Sequence, residues 1–465
     1  MVIMIISAYM VPHPPIAVHQ IGRGEEMKIR KTLHAYDKVS EMIADDDPET
    51  IVISSPHAPL YRDWFNVSSG NRAYGDFSRF RARNVTFDVP YDTEFVKTLD
   101  TLCKKEDFPA GTEYDRDKML DHGTMVPLYF LSHHMRGIPL VRIGLSGLSL
   151  RDHYRLGMLV QEVSDILNRR VIFIASGDLS HCQKEDGPYG FKPEGPVYDE
   201  RIMHTMANAD FNELFDYQYD FLEKAEECGH RSFVIMAGAL DGLHVMPKAL
   251  SHEAAFGVGY GIVTYKADGK DDSRHFLKEY DHKEKERIQI KREHADAYVK
   301  LALDAIAYYH KHESYMSVPD NLPAEMYHDK AGTFVSIHED DRLRGCIGTI
   351  RSTQKNIACE IIHNAVSACF RDPRFPEIKE EEYPYLDVSV DVLSKPEKIS
   401  DRSMLDVKKY GVICSVPDGR MGLLLPDLDG VDTVDFQIKT ACRKGEIDPD
   451  DPHLQLQRFT VTRHE

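Results

Sequence analysis

The sequence predicts an α/β domain, a mixed or parallel central sheet with helices on both faces, followed by an α+β domain. Three observations predict it. Hydrophobic runs alternate with helical patterns through the first half of the chain. A dense run of charge interrupts the chain between Ala267 and His294. Beyond it, alternating strands and hairpin turns replace the regular alternation.

The strand candidates of the first half are Ile3–Val11, Thr50–Ser55, Pro139–Ile143, Val171–Ala175 and Gly257–Tyr265. They are near-continuous apolar runs, as expected of strands buried on both faces. Between them lie helical patterns at Glu25–Ile43, Glu94–Lys104, Arg151–Leu167 and Asp199–Asn208, and a buried helix over Arg231–Leu240. The segment 269–288 reads as a charged linker running into the exposed start of a helix, which places domains at 1–268 and 289–465. In the second half, His294–Lys311 and Ala358–Cys369 have helical spacing. Phe334–Ile337 and Leu343–Ile350 flank a charged turn and predict a hairpin. Leu386–Val392 alternates as a half-buried strand, and Pro417-Asp418-Gly419-Arg420 turns a second hairpin.

Composition bounds the function. A chain of 465 residues is long enough for two or three domains. A formal net charge of −19 argues against a nucleic-acid binder or an anionic membrane surface as partner. The eight cysteines include no Cys-x-x-Cys pair, so no zinc ribbon or thioredoxin-like motif is expected, and free thiols point to a reducing cytoplasm. The apolar opening Met1–Ile6 has no basic flank and reads as a first strand, and no run is long enough to span a membrane.

Three of the hydrophobic runs end on a histidine: His13 in Pro12-His13-Pro14, His57 in Pro56-His57-Ala58-Pro59, and His181 after Ser176-Gly177-Asp178-Leu179-Ser180. In open α/β sheets, ligands bind at the carboxyl ends of parallel strands. Three imidazoles delivered to one sheet edge point to a metal site or an acid/base site. Proline stops each of the first two strands at its histidine and stiffens the backbone there. His122 follows Asp121, a candidate cap for the next helix, whose N-terminal dipole disfavours the imidazolium. A third metal ligand is sought in Glu226-Glu227-Cys228-Gly229-His230-Arg231. Two histidines plus a carboxylate from this segment would suit non-haem Fe(II), and two histidines plus a thiolate would shift the preference toward copper or zinc.

Residues 1–265 resemble the class III (LigB-type) extradiol dioxygenases and their relative Memo. The resemblance is carried in order by Val11-Pro12-His13-Pro14-Pro15, Ser54-Ser55-Pro56-His57-Ala58, Asp121–Leu128 and Ser176-Gly177-Asp178-Leu179-Ser180-His181. It implies that His13 and His57 ligate metal, that His181 is the acid/base, and that His122 lines the substrate pocket. At the third ligand position the chain departs from the ring-cleaving enzymes, which use a glutamate. Cys228-Gly229-His230-Arg231 is similar to the cysteine segment of Memo-like proteins, with Glu227 adjacent.

The second half carries Leu343-Arg344-Gly345-Cys346-Ile347-Gly348-Thr349, in which alternation puts Arg344 and Cys346 on one strand face. If their side chains meet, Arg344 would lower the pKa of Cys346; otherwise the strand is structural and the thiol inert. The heptapeptide, together with Arg371-Asp372-Pro373-Arg374-Phe375-Pro376, resembles the AMMECR family, a match that names a domain and no reaction. The fusion of the two resembles the AmmeMemoRadiSam system protein A family, found beside a Memo-like protein and a radical SAM protein.

The resemblance implies an Fe(II) oxidoreductase, an extradiol ring-cleaving dioxygenase taking a catechol-type diol and O2. The alternative is a Memo-like metal or redox binding module serving a radical SAM partner, with zinc or copper in place of iron. A zinc hydrolase using His181 as base is a third. Candidate partners are radical SAM and Memo-like proteins and a second copy of the chain.

Overall fold

The computed structural model describes residues 3–116, 118–131, 137–428 and 430–465. Met1 and Val2, expected at the opening of the first strand, lie outside the described residues. The chain divides into two compact units, Met1–Asp281 and His282–Glu465.

Six strands form the main sheet of the first unit: β1 (Ile5–Val11), β2 (Thr50–Ser55), β3 (Leu140–Gly144), β4 (Val171–Ser176), β5 (Leu243–Glu253) and β6 (Tyr260–Lys270). Their order is β3-β2-β4-β1-β6-β5. The first four are parallel, and the β5–β6 hairpin adds antiparallel strands beside β1. Alternation splits the buried side chains between two faces. Val52, Phe173 and Ala175 enter one core, and Ile51, Ile53, Ile172 and Ile174 enter the other. Helix α1 (Arg30–Asp46) and helix α3 (His122–Leu131) cover the second face. Helices α2 (Thr93–Lys105), α4 (Leu150–Leu167), α5 (Glu194–Asn208) and α6 (His230–Ala239) cover the first.

Local chemistry sets several of these boundaries. Ser149 and Asp152 form a capping box at the start of α4, and Asp92 caps α2. The helix expected from Glu25 begins instead as a 3-10 turn at Glu25–Ile29, because Arg23 and Gly24 take left-handed backbone just before it. Strand β5 was not expected, since Pro247 interrupts its apolar pattern. It is an edge strand, where a missing donor is tolerated. The segment 269–288 holds the end of β6 and much of a long helix, α7 (Phe276–His294), in which Phe276, Leu277, Glu284 and Ile288 are buried.

The second unit has two four-stranded antiparallel sheets. In the first, β7 (Thr333–Glu339), β8 (Arg342–Gly348), β9 (Asp387–Leu393) and β14 (Val461–His464) run in the order β8-β7-β9-β14. In the second, β10 (Glu397–Ile399), β11 (Gly411–Ser415), β12 (Met421–Leu424) and β13 (Gln455–Phe459) run β10-β13-β11-β12. Helices α8 (Ala297–His312) and α9 (Ile357–Phe370) share a core with the first sheet, and α10 (Val434–Lys444) with the second. Among the described residues no helix is long and apolar enough to cross a membrane.

Candidate metal centre

Strands β1, β2 and β4 are adjacent and parallel, so their carboxyl ends reach one edge of the sheet together. His13 and His57 each follow their strand by two residues. The Tyr36 hydroxyl on α1 donates to the Pro12 carbonyl, and the Asp178 carboxylate accepts from the His13 backbone N–H at 2.7 Å. These two contacts hold the turn after β1.

Ser176 at the end of β4 fixes the tautomer of His13. Its hydroxyl carries one proton, which it donates to the Gly123 carbonyl at 2.5 Å. The same oxygen lies 2.9 Å from His13 Nδ1, so it accepts there, and Nδ1 carries the ring proton. His13 Nε2 is left with its lone pair aimed into the site, as a metal ligand requires.

His57 Nε2 lies 3.1 Å from His13 Nε2, and Cys228 Sγ lies 3.6 Å from the same atom. Ligand bonds of about 2.0–2.1 Å to nitrogen and about 2.3 Å to sulfur span such separations at near-tetrahedral angles. His13, His57 and Cys228 are the one such metal-ligand group among the described residues. All three donor atoms lie within 4.8 Å of one another, so they make a candidate set for a single ion, with His13 buried and His57 at the exposed rim.

The electrostatics agree with that use. Burial, reinforced by the neighbouring His57, holds His13 well below the ordinary histidine range. Desolvation lowers His57 as well. His122 falls to about 3, through burial and the two rings beside it. Neutral imidazoles are what a metal needs. Burial pushes the Cys228 thiol up, and the Asp178 and Glu227 carboxylates push it further, so it holds its proton until a cation replaces it. The Asp178 backbone N–H points to Sγ at 3.3 Å, ready to stabilise the thiolate.

Glu227 is not part of the group. Its carboxylate accepts from the His230 backbone N–H at 2.6 Å and caps α6, and burial raises its pKa to about 7. His230 is buried in the core, bonded to the Leu214 carbonyl at 3.0 Å. Glu226 is ion-paired with Lys192.

The other two histidines flank the ligands. His122 lies against His57, ring centroids 4.0 Å apart, and the edge-on Phe80 ring stands 5.4 Å from it. Asp121 positions it, accepting from the Thr124 N–H at 3.0 Å and from the Ser55 hydroxyl at 2.6 Å. Buried Arg142 on β3 backs that carboxylate at 3.6 Å. His181 lies beside Tyr189, ring centroids 5.0 Å apart. Desolvation lowers its pKa and the Asp178 carboxylate opposes the fall.

Sequence reasoning passed over Ser176, Asp178 and Arg142 as functional groups. The first two stand inside the motif that ends on His181. An arginine in the apolar run of β3 was the available signal for the third, since a buried charge demands a partner. In the second unit, Arg344 does not turn to Cys346. Its guanidinium is taken up by Glu382 at 2.8 Å and by the Pro376 carbonyl at 2.8 Å.

Residues 7–263 match the family described as the catalytic LigB subunit of aromatic ring-opening dioxygenase, and residues 299–464 match AMMECR1. Protein CA_C1420 of Clostridium acetobutylicum is 39% identical over 465 residues, covering 98% of each chain. A Thermotoga maritima protein is 45% identical over 168 residues, covering 36% of this chain and 96% of its own. Among solved structures, uncharacterized protein JW3007 from Escherichia coli K12 aligns with 56% of this chain and 99% of its own, at 14% identity and a TM-score of 0.37. Since the first match alone spans more than half of the chain and CA_C1420 matches it nearly end to end, the protein belongs to the LigB family and carries AMMECR1 as its second domain.

Proposed function

We propose that the first unit is a metal-dependent oxidoreductase acting on a catechol-type diol with O2, with Fe(II) at His13, His57 and Cys228. The observation that carries the reading is the grouping of two neutral Nε2 atoms and a thiol within 4.8 Å, with His122 against both imidazoles and His181 within electrostatic reach of His57. The metal, when bound, supplies Lewis acidity and an electron path between an aromatic diol and O2. The neutral His181 ring takes a proton from a diol hydroxyl and returns it to product. His122, also neutral, donates its remaining N–H to a substrate oxygen, and its stack on His57 keeps it in line.

The experiment is iron analysis of anaerobically purified protein, with oxygen uptake over a catechol panel. Stoichiometric iron and uptake with a diol are expected. Protein that holds no iron and takes up no oxygen overturns the reading.

A specific observation favours a second reading. The third donor is a thiol and the adjacent carboxylate is engaged as a helix cap, a set that suits copper or zinc. The unit would then be a metal or redox module serving a radical SAM partner. Copper or zinc binding lost in Cys228→Ser and kept in Glu227→Gln, with no oxygen uptake in the parent, supports this reading over the first.

A further inference from the structure

We propose that Tyr309, Tyr315 and Arg371 of the AMMECR1 domain form a binding site for the phosphate group of a small phosphate monoester. The segment Arg371-Asp372-Pro373-Arg374-Phe375-Pro376 brings two arginines to this part of the fold, and Arg344 comes from the heptapeptide on β8. Two of these three are neutralised: Arg374 pairs with Asp372 at 2.7 Å, and Arg344 with Glu382 at 2.8 Å. Arg371 is exposed and has no carboxylate partner among the described residues, in a chain whose net charge is −19.

Two phenols stand where an acid would be expected. Arg371 Nη1 donates to the Tyr315 hydroxyl and Nη2 to the Tyr309 hydroxyl, both at 2.8 Å. A phenol oxygen that accepts from a guanidinium keeps its own proton to give. Neither hydroxyl finds an acceptor for that proton among the described residues. Further N–H groups of the guanidinium are equally unspent. Arg371 follows α9, where a cation offsets the helix dipole, but its guanidinium turns to the phenols and to no carbonyl.

The donors are held in place by packing. His363 on α9 stacks on Tyr315, ring centroids 4.0 Å apart and planes 25° apart. Phe370, also on α9, lies against Tyr309 on α8 at 5.0 Å, and the two tyrosine rings are 5.6 Å apart. Both tyrosines are half-buried, so little side-chain freedom is left to lose when a ligand arrives. The result is a fixed set of O–H and N–H donors around one permanent positive charge. A phosphate monoester matches it, with a double negative charge and three acceptor oxygens. Because Arg344 and Arg374 are already neutralised, the charge here suits one phosphate group and not a polyanion.

The test titrates the full-length protein with phenyl phosphate and with benzoate by calorimetry. Phenyl phosphate is expected to bind about tenfold more tightly than benzoate. Arg371→Gln should remove that binding, and Arg371→Lys, which keeps the charge and loses the fork, should weaken it about tenfold. Tyr309→Phe and Tyr315→Phe each delete one hydroxyl from a ring that stays packed, and each should weaken binding about tenfold. These two variants stay informative if a change at Arg371 disturbs the fold. Equal affinity for the two ligands, or phenyl phosphate binding that survives Arg371→Gln and both phenylalanine variants, overturns the proposal. A phosphotyrosine peptide that binds more tightly than phenyl phosphate overturns the assignment to a small molecule.

Discussion

Ser176 spends its single proton on Gly123 and so makes His13 the donor at Nδ1. Removing that hydroxyl frees the ring to rotate and to change tautomer. Ser176→Ala is expected to weaken metal binding by about 10–100-fold, read by competition against a chromophoric chelator. Unchanged affinity would show that Ser176 does not orient His13. Cys228 and Glu227 are adjacent with separate tasks. Cys228→Ser should remove metal binding. Glu227→Ala should leave it nearly intact but cost about 1 kcal/mol in chemical denaturation, because α6 loses its cap. The imidazoles of His13 and His57 are already neutral, whereas the Cys228 thiol is held protonated. Metal uptake near pH 7 should therefore release about one proton, measured by calorimetry in buffers of different ionisation enthalpy. A thiolate already present would release none.

At the scale of elements, the site depends on two loops that touch through glycine. A Cβ at Gly177 would stand 2.1 Å from the Gly229 Cα, and this contact brings the Asp178 turn against the Cys228 turn. Backbone cannot yield there as a flexible side chain would. Gly177→Ala should cost about 1–3 kcal/mol and abolish metal binding, read by denaturant midpoint and metal titration on the same sample. If the variant binds metal normally, the close approach is not what sets Cys228. The strands that end on His13, His57 and His181 were legible because an apolar run halted by proline or by Ser-Gly-Asp leaves a clear local signal. Strand β5 was not, because Pro247 mimics a breaker and only the sheet shows that the strand lies at an edge. The pairing of Arg344 with Glu382, not with Cys346, was equally hidden, since alternation gives a face and not a partner.

Over the whole molecule, acid should act first on the unit whose surroundings hold its histidines neutral. His13, His57, His122 and His230 all have folded values below the ordinary 6.5, the last two at about 3. The unfolded chain takes up protons near 6.5 that the folded chain refuses. Stability is then full above that pH and falls as pH drops from about 6.5 toward 3. Asp178 and Glu227, raised by burial to about 6 and about 7, act in the opposite sense. Burial raises Asp165 and Asp199 as well and lowers His181, so four carboxyls stand against five histidines and the histidines set the sign. Urea denaturation of the metal-free protein at pH 7, 6 and 5 should show a falling unfolding free energy, and a rise would refute it. Division into two units carries a separate expectation. Chelation should lower one of two calorimetric transitions, by about 2.7 kcal/mol in free energy if metal was at 100 times its Kd, and leave the other in place. A shift of both would show that the units unfold together.

The sequence by itself determined the two families and singled out the four histidines as candidates, because periodicity and ordered motifs are properties of a contiguous chain. It left Glu227 and Cys228 as equal candidates. Only the tertiary structure separated them, because the chain turns into α6 just after both and their side chains leave that turn in different directions. Glu227 turns back to cap α6, and Cys228 turns toward His13, 215 residues away in sequence. Contacts of that separation depend on the packing of β4 against the Cys228 turn, which no local pattern records.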